Sequence, residues 1–140
     1  MKIGIDAKWY FEGPVSGKNV ITNIVNKLIK RDHEITLYIK KKHNSRIKEI
    51  IDQIPTDKKI TFKFLPNFPN TLTNLLFFPI FINRSDEVIV FQNYVPLWKK
   101  FSTKYVAYVH DFLFFDYPQY FTLFENFFFR FMKISVIVSD

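Results

Sequence analysis

The sequence predicts an α/β fold, a mainly parallel sheet with helices on both faces, and three observations carry that reading. Short apolar runs of strand length alternate with segments of helical periodicity along most of the chain, which implies right-handed crossovers between neighbouring parallel strands. The runs Ile3-Gly4-Ile5 and Val88-Ile89-Val90-Phe91 are apolar without alternation, as strands covered on both faces are. The 140 residues, 48% hydrophobic and 24% charged, suit one folded domain and are too few for two.

Ile3-Gly4-Ile5, in a strand opening at Met1, is the first element, and Thr36-Leu37-Tyr38-Ile39 is the second strand. Between them Val20, Ile21, Ile24, Val25, Leu28 and Ile29 make one apolar stripe at helical spacing. Lys18, Asn19, Asn23, Lys27, Lys30 and Arg31 take the other faces, so the opening unit is βαβ. Ser45 is placed to cap a further helix carrying Ile47, Ile50, Ile51 and Ile54, and Pro55 stops it. Ile60, Phe62 and Phe64 alternate with Thr61 and Lys63, the pattern of a strand with one wetter face at a sheet edge, and Pro66 and Pro69 follow it. Residues 70–83 suit a proline-kinked helix, 88–91 a buried strand and 105–109 another. Residues 120–133 are expected to be helical and 134–138 to form a final strand. Neither an internal repeat nor a low-complexity segment is present.

The absence of cysteine excludes a disulfide scaffold, a thiolate metal site and a cysteine nucleophile. Lys and Arg number 20 against 13 acidic residues, and the net charge of +7 favours anionic partners: nucleotide phosphates, nucleic acid or acidic lipid headgroups. The amino terminus turns polar at Asp6 and lacks the apolar core and small-residue cleavage site of a signal peptide, so a cytoplasmic location is expected. The longest apolar run, residues 75–82, has eight residues and contains Pro79, against the ~18 or more of a spanning helix.

Open parallel sheets bind ligands beyond the carboxyl ends of their strands, near the point where strand order reverses. Three segments fall there: residues 6–17, 92–96 and 110–117. The first ends in Gly13-Pro14-Val15-Ser16-Gly17-Lys18 and enters a helix, where unpaired N–H groups and a positive dipole end suit a phosphate. The spacing is neither that of a Walker A loop nor that of a dinucleotide fingerprint. The structural alternative is that both glycines serve tight turns and Ser16 caps the helix. In the third segment, His110 is placed to hydrogen-bond a substrate hydroxyl or to transfer a proton, and Asp111 either orients it or caps the turn. His33 and His43 sit in polar connections without metal-ligand spacing and are expected to be solvated.

The opening Met1-Lys2-Ile3-Gly4-Ile5-Asp6-Ala7-Lys8, the Gly13 to Gly17 loop with its helix, and Val109-His110-Asp111 followed by Asp116-Tyr117-Pro118-Gln119-Tyr120-Phe121 resemble the amino-terminal domain of GT-B glycosyltransferases, with retaining family 4 the nearest match. The resemblance spans essentially all 140 residues and implies a Rossmann-like acceptor-side domain. It further implies sugar transfer from a nucleotide-sugar donor to a glycan or lipid-linked acceptor, with no metal or other cofactor. A second, nucleotide-sugar-binding domain, in cis or in trans, is implied as well, and without it the chain is expected to be inactive. Carried over, Gly17 presents its N–H near the donor phosphate, with Gly13, Ser16 and Lys18 around it. His110 contacts the transferred sugar as the catalytic residue, beside Asp111, and Glu12, Gln92, Asn93 and Asp116 serve the acceptor.

Lys40-Lys41-Lys42-His43-Asn44-Ser45-Arg46 is a basic run expected to be a solvated loop. Phe112-Leu113-Phe114-Phe115 and Phe127-Phe128-Phe129-Arg130-Phe131-Met132 supply more apolar surface than one helix stripe needs. Either these aromatics fill the core or cover a further domain, or with the positive charge they hold the protein at an anionic membrane, at its inner face. The alternative to an enzyme is a noncatalytic binding or assembly module of the same fold. Nucleic acid is not an expected partner, because the aromatics come in apolar blocks and are not interleaved with Lys and Arg.

Overall fold

The computed structural model describes residues 1–54, 60–100, 102–111 and 113–140. β1 (Lys2–Asp6), β2 (Glu34–Lys40), β3 (Ile60–Leu65), β4 (Val88–Gln92) and β5 (Lys104–Tyr108) form one sheet in the order β3-β2-β1-β4-β5, with every neighbouring pair parallel. The fold is Rossmann-like. Ile3 lies between Ile35 of β2 and Val88 of β4, so strand order reverses at β1, and the carboxyl ends of β1 and β4 mark the place where sheets of this kind bind ligands. β3, read from its alternation as an edge strand, is one.

The helices are α1 (Trp9–Glu12), α2 (Val15–Lys30), α3 (Ile47–Ile51), α4 (Asn70–Leu72), α5 (Phe78–Phe81), α6 (Leu113–Asp116) and α7 (Leu123–Val138). α2 buries Ile21, Val25 and Ile29 against Ile3, Ile5 and Leu37 on one face of the sheet. Tyr38, Ile89, Phe91 and Tyr105 point to the other face and meet Phe78 and Leu65 there, as the two-residue period of a strand requires. α2 ends in a Schellman arrangement: the His33 N–H donates to the Leu28 carbonyl and the Asp32 N–H to that of Ile29, with Asp32 at φ 63°.

The helix expected over 70–83 is interrupted. α4 passes into a π-helical turn (Thr73–Phe77) and then into α5, where Pro79 has no N–H to give the Leu75 carbonyl. That carbonyl accepts the Leu97 N–H at 3.0 Å, and the next one, of Leu76, accepts the Trp98 indole at 3.0 Å. The missing proline donor thus docks the segment after β4. Gly4 is fixed by packing: a Cβ there would stand 2.9 Å from Asp86 Oδ2, Ile89 Cγ1 and Tyr38 Cε2.

Residues 134–138 are not a strand. They complete α7, which starts at a capping box in which the Glu125 N–H donates to Thr122 Oγ1 and the Thr122 N–H to Glu125 Oε2. Ser135 Oγ donates to the Phe131 carbonyl at 2.8 Å and accepts the Val95 N–H at 2.9 Å, which ties the helical form to the core. Neither expected serine cap forms: α2 begins after Pro14 with Ser16 exposed inside it, and Ser45 lies exposed in a 3₁₀ turn (Lys41–Arg46) before α3. Pro55, read as a helix stop, and Phe112 lie outside the described residues. Among the described residues no helix is long and apolar enough to cross a membrane.

Candidate functional site

The floor of the site is a buried polar strut. Lys8 Nζ donates to Asp6 Oδ1 at 2.5 Å and to Asn74 Oδ1 at 2.6 Å, and Asn74 Nδ2 donates to Asp6 Oδ2 at 2.8 Å and to the Tyr94 carbonyl at 3.1 Å. Burial lowers the Lys8 pKa, and the Asp6 carboxylate opposes that by charge and hydrogen bond. Lys8 and Asp6 are fully buried and closed to a ligand, and the network fixes the segments after β1 and β4 to the π-helical turn.

Above it stands a rim of rings. The Trp9 indole stacks on the His110 imidazole with centroids 4.6 Å apart and planes at 21°, and Tyr108 meets the imidazole edge-on at 5.0 Å. His110 Nε2 lies 2.8 Å from Gln92 Oε1, so the ring proton sits on Nε2 and Nδ1 is left as the acceptor. The His110 N–H donates to Asn93 Oδ1 at 3.2 Å. Asn93 holds φ 64°, a left-handed conformation that asparagine tolerates. Burial lowers the His110 pKa, against the raising effect of Asp111, and so favours the neutral imidazole. Gln92 is 1% exposed, and its buried Nε2 has no hydrogen-bond partner among the described residues.

The two glycines bear on this rim through Trp9. A Cβ on Gly13 would stand 2.7 Å from the Trp9 carbonyl oxygen, and one on Gly17 would stand 3.0 Å from Trp9 Cε3. Neither glycine has positive φ, so their use is close approach and not a turn. The Gly17 N–H donates to the Pro14 carbonyl at 2.9 Å and Lys18 N–H to the same oxygen at 3.3 Å, so the Gly17 amide, expected at a donor phosphate, is already engaged within the helix. Lys18 Nζ sits 4.8 Å over the Tyr10 ring.

Glu12, expected to face an acceptor, is occupied. Lys40 Nζ reaches its Oε2 at 2.8 Å, and Lys42 Nζ at 2.6 Å and His43 Nε2 at 3.0 Å reach its Oε1. Burial works to raise the Glu12 pKa, but hydrogen bonds from Lys40, Lys42 and His43 outweigh it and bring it down to about 2. His43 and Lys40, read as solvated, are 8% and 4% exposed, because the single carboxylate gathers them and Phe11 stacks on His43 at 4.7 Å. Asp111 caps its turn, accepting the Leu113 N–H at 3.3 Å, while Gln92, Asn93 and Trp9 do the orienting of His110. Asp116 is exposed at the end of α6, without a hydrogen bond or ion pair among the described residues.

The structure therefore joins His110, Gln92 and Asn93 directly, brings Gly13 and Gly17 to them through Trp9, and leaves Glu12 and Asp116 outside that contact set. Trp9 was missed by sequence reasoning, because the break between α1 and α2 at Gly13 and Pro14 leaves no helical spacing to link it to the glycines. The chain matches no family model, no curated protein and no solved structure. Among the described residues no group of three or more His, Asp or Glu could hold a metal ion. What the rim offers is a flat aromatic wall and an imidazole whose Nδ1 can accept a hydrogen bond. That set suits a hydroxyl-rich, ring-shaped ligand.

Proposed function

We propose that this chain is the acceptor-side domain of a nucleotide-sugar-dependent glycosyltransferase of the retaining GT-B kind. A second nucleotide-binding domain, in cis or in trans, closes over the rim in the active enzyme. The observation that carries the reading is the Trp9–His110 stack, which joins the glycine segment to the His-Asp segment at the reversal of strand order. In this reading the indole face packs on a sugar ring and His110 Nδ1 accepts from a sugar hydroxyl, while buried Gln92 holds the imidazole in place. Departure of a nucleoside diphosphate builds negative charge, which the amino end of α2 and cations of the second domain stabilise in the transition state.

The test is an NMR titration of the chain with nucleotide sugars and with oligosaccharides, followed at the Trp9 indole and His110 ring signals. Shifts at both rings, with His33 unmoved, are expected. Neither ring responding to any sugar-bearing ligand would overturn the proposal. In the enzyme completed by its second domain, His110→Ala is expected to lower transfer at least ~100-fold. A noncatalytic assembly module of the same fold is the second reading, favoured by the exposed apolar residues of α7. Sugar transfer by the chain alone would refute it, and full transfer activity in His110→Ala would remove His110 from the catalytic role.

A further inference from the structure

α7 is apolar on nearly every side, yet the rest of the chain covers only one of them. Met132 and Ser135 are its buried residues. On the opposite side Leu123, Phe127, Ile134 and Ile137 recur at helical spacing and face solvent, Leu123 91% and Ile137 71% exposed. Phe124, 72% exposed, and Phe127 border a cleft of about 720 Å³ whose far wall includes Leu72, Leu76 and Leu97. The core of this chain accounts for the inner side of α7 and leaves the outer side unexplained.

Charge selects the occupant. Arg130 continues the exposed stripe and Lys133 lies next to it. Both line a neighbouring cleft of about 470 Å³, and neither forms an ion pair with a described residue. The one acid of the helix, Glu125, has its carboxylate taken by the Thr122 N–H and Oγ1, each at 2.8 Å. The apolar face thus carries two unpaired cations on a chain of net charge +7. A second copy placed on it by two-fold symmetry would crowd four like charges together, whereas acidic lipid headgroups neutralise them. At ~1.5 Å per residue α7 is about 24 Å long, short of the ~30 Å hydrocarbon core of a bilayer.

We propose that the outer face of α7 docks on an anionic lipid bilayer, with Leu123, Phe127, Ile134 and Ile137 among the acyl chains and Arg130 and Lys133 on lipid phosphates. This inference does not depend on the transferase reading. Cosedimentation of the chain with phosphatidylcholine vesicles, with and without phosphatidylglycerol, tests it. Strong partitioning onto the vesicles containing phosphatidylglycerol and weak partitioning onto the others is expected. Arg130→Gln and Lys133→Gln should each weaken the former about five-fold. The double variant Leu123→Ser with Ile137→Ser, whose circular dichroism should match the parent because both sites are exposed, is expected to lose most of the binding. Absence of binding, equal binding to both vesicle types, or binding unmoved by the serine pair would overturn the proposal. So would a dimer in sedimentation equilibrium that the serine pair abolishes while vesicles are ignored, which assigns the face to a second copy.

Discussion

Replacing Glu12 by glutamine probes the anchor that holds α1 against the end of β2. In the folded chain the three basic partners hold this carboxyl at about 2, against an ordinary 4.5. Its contribution to stability is fully present above pH 4.5 and is lost as pH falls through 2, because only the ionised form is favoured by folding. The displacement corresponds to about 3 kcal/mol at neutral pH, and the side chain is only 14% exposed, so solvent screening reduces it modestly. Urea denaturation of Glu12→Gln and the parent at pH 7 should therefore show a loss of about 3 kcal/mol, shrinking to about 1 kcal/mol at pH 3. An equal difference at both pH values, or none at pH 7, would show that the carboxylate does not hold Lys40, Lys42 and His43 as described.

Gly13→Ala is expected to be more damaging than Gly17→Ala, because its Cβ meets the Trp9 backbone oxygen at 2.7 Å while that of Gly17 meets a ring edge at 3.0 Å. Gly17→Ala should stay within about 1 kcal/mol of the parent, as the helix preference of alanine offsets the crowding. Its Trp9 indole NMR signal should nevertheless move, and an unmoved indole would contradict the contact. The His110 imidazole, followed by NMR, should titrate below 6.5, and a midpoint above that value would mean that Asp111 outweighs burial. Thr122→Ala removes the capping box of α7 and should cost about 1 kcal/mol in thermal or urea unfolding.

The strand-helix alternation made the sheet legible, and the stripe from Val20 to Ile29 placed α2 correctly, because both depend on local periodicity. The segment from Ile134 to Val138 was not legible: a short β-branched run suits a strand or a buried helix equally, and tertiary contact at Ser135 decides between them. The helix expected over 120–133 begins instead after the Thr122-x-x-Glu125 capping box and runs on to Val138. In the site, His110, Gln92 and Asn93 were found because strand ends at a reversal of order are the expected place for them. The fate of Glu12 was not, since its partners lie 28 and 31 residues away and only the folded sheet brings them together. The glycine loop reads in sequence as a phosphate site, with tight turns as the alternative, whereas what both glycines admit is the Trp9 indole, a contact that only the fold reveals.

The attachment of α7 has a consequence for how the molecule opens. With Met132 and Ser135 as its fully buried residues, and Val138 and the Asp140 contacts to Tyr105 at its far end, the helix is held by fewer buried contacts than β1 and opens at a lower free energy than the sheet. Deuterium should enter its amides well ahead of those in β1, whose Ile3 and Ile5 are enclosed between two neighbouring strands. Brief proteolysis should likewise trim the carboxyl-terminal segment first and leave the parallel sheet standing.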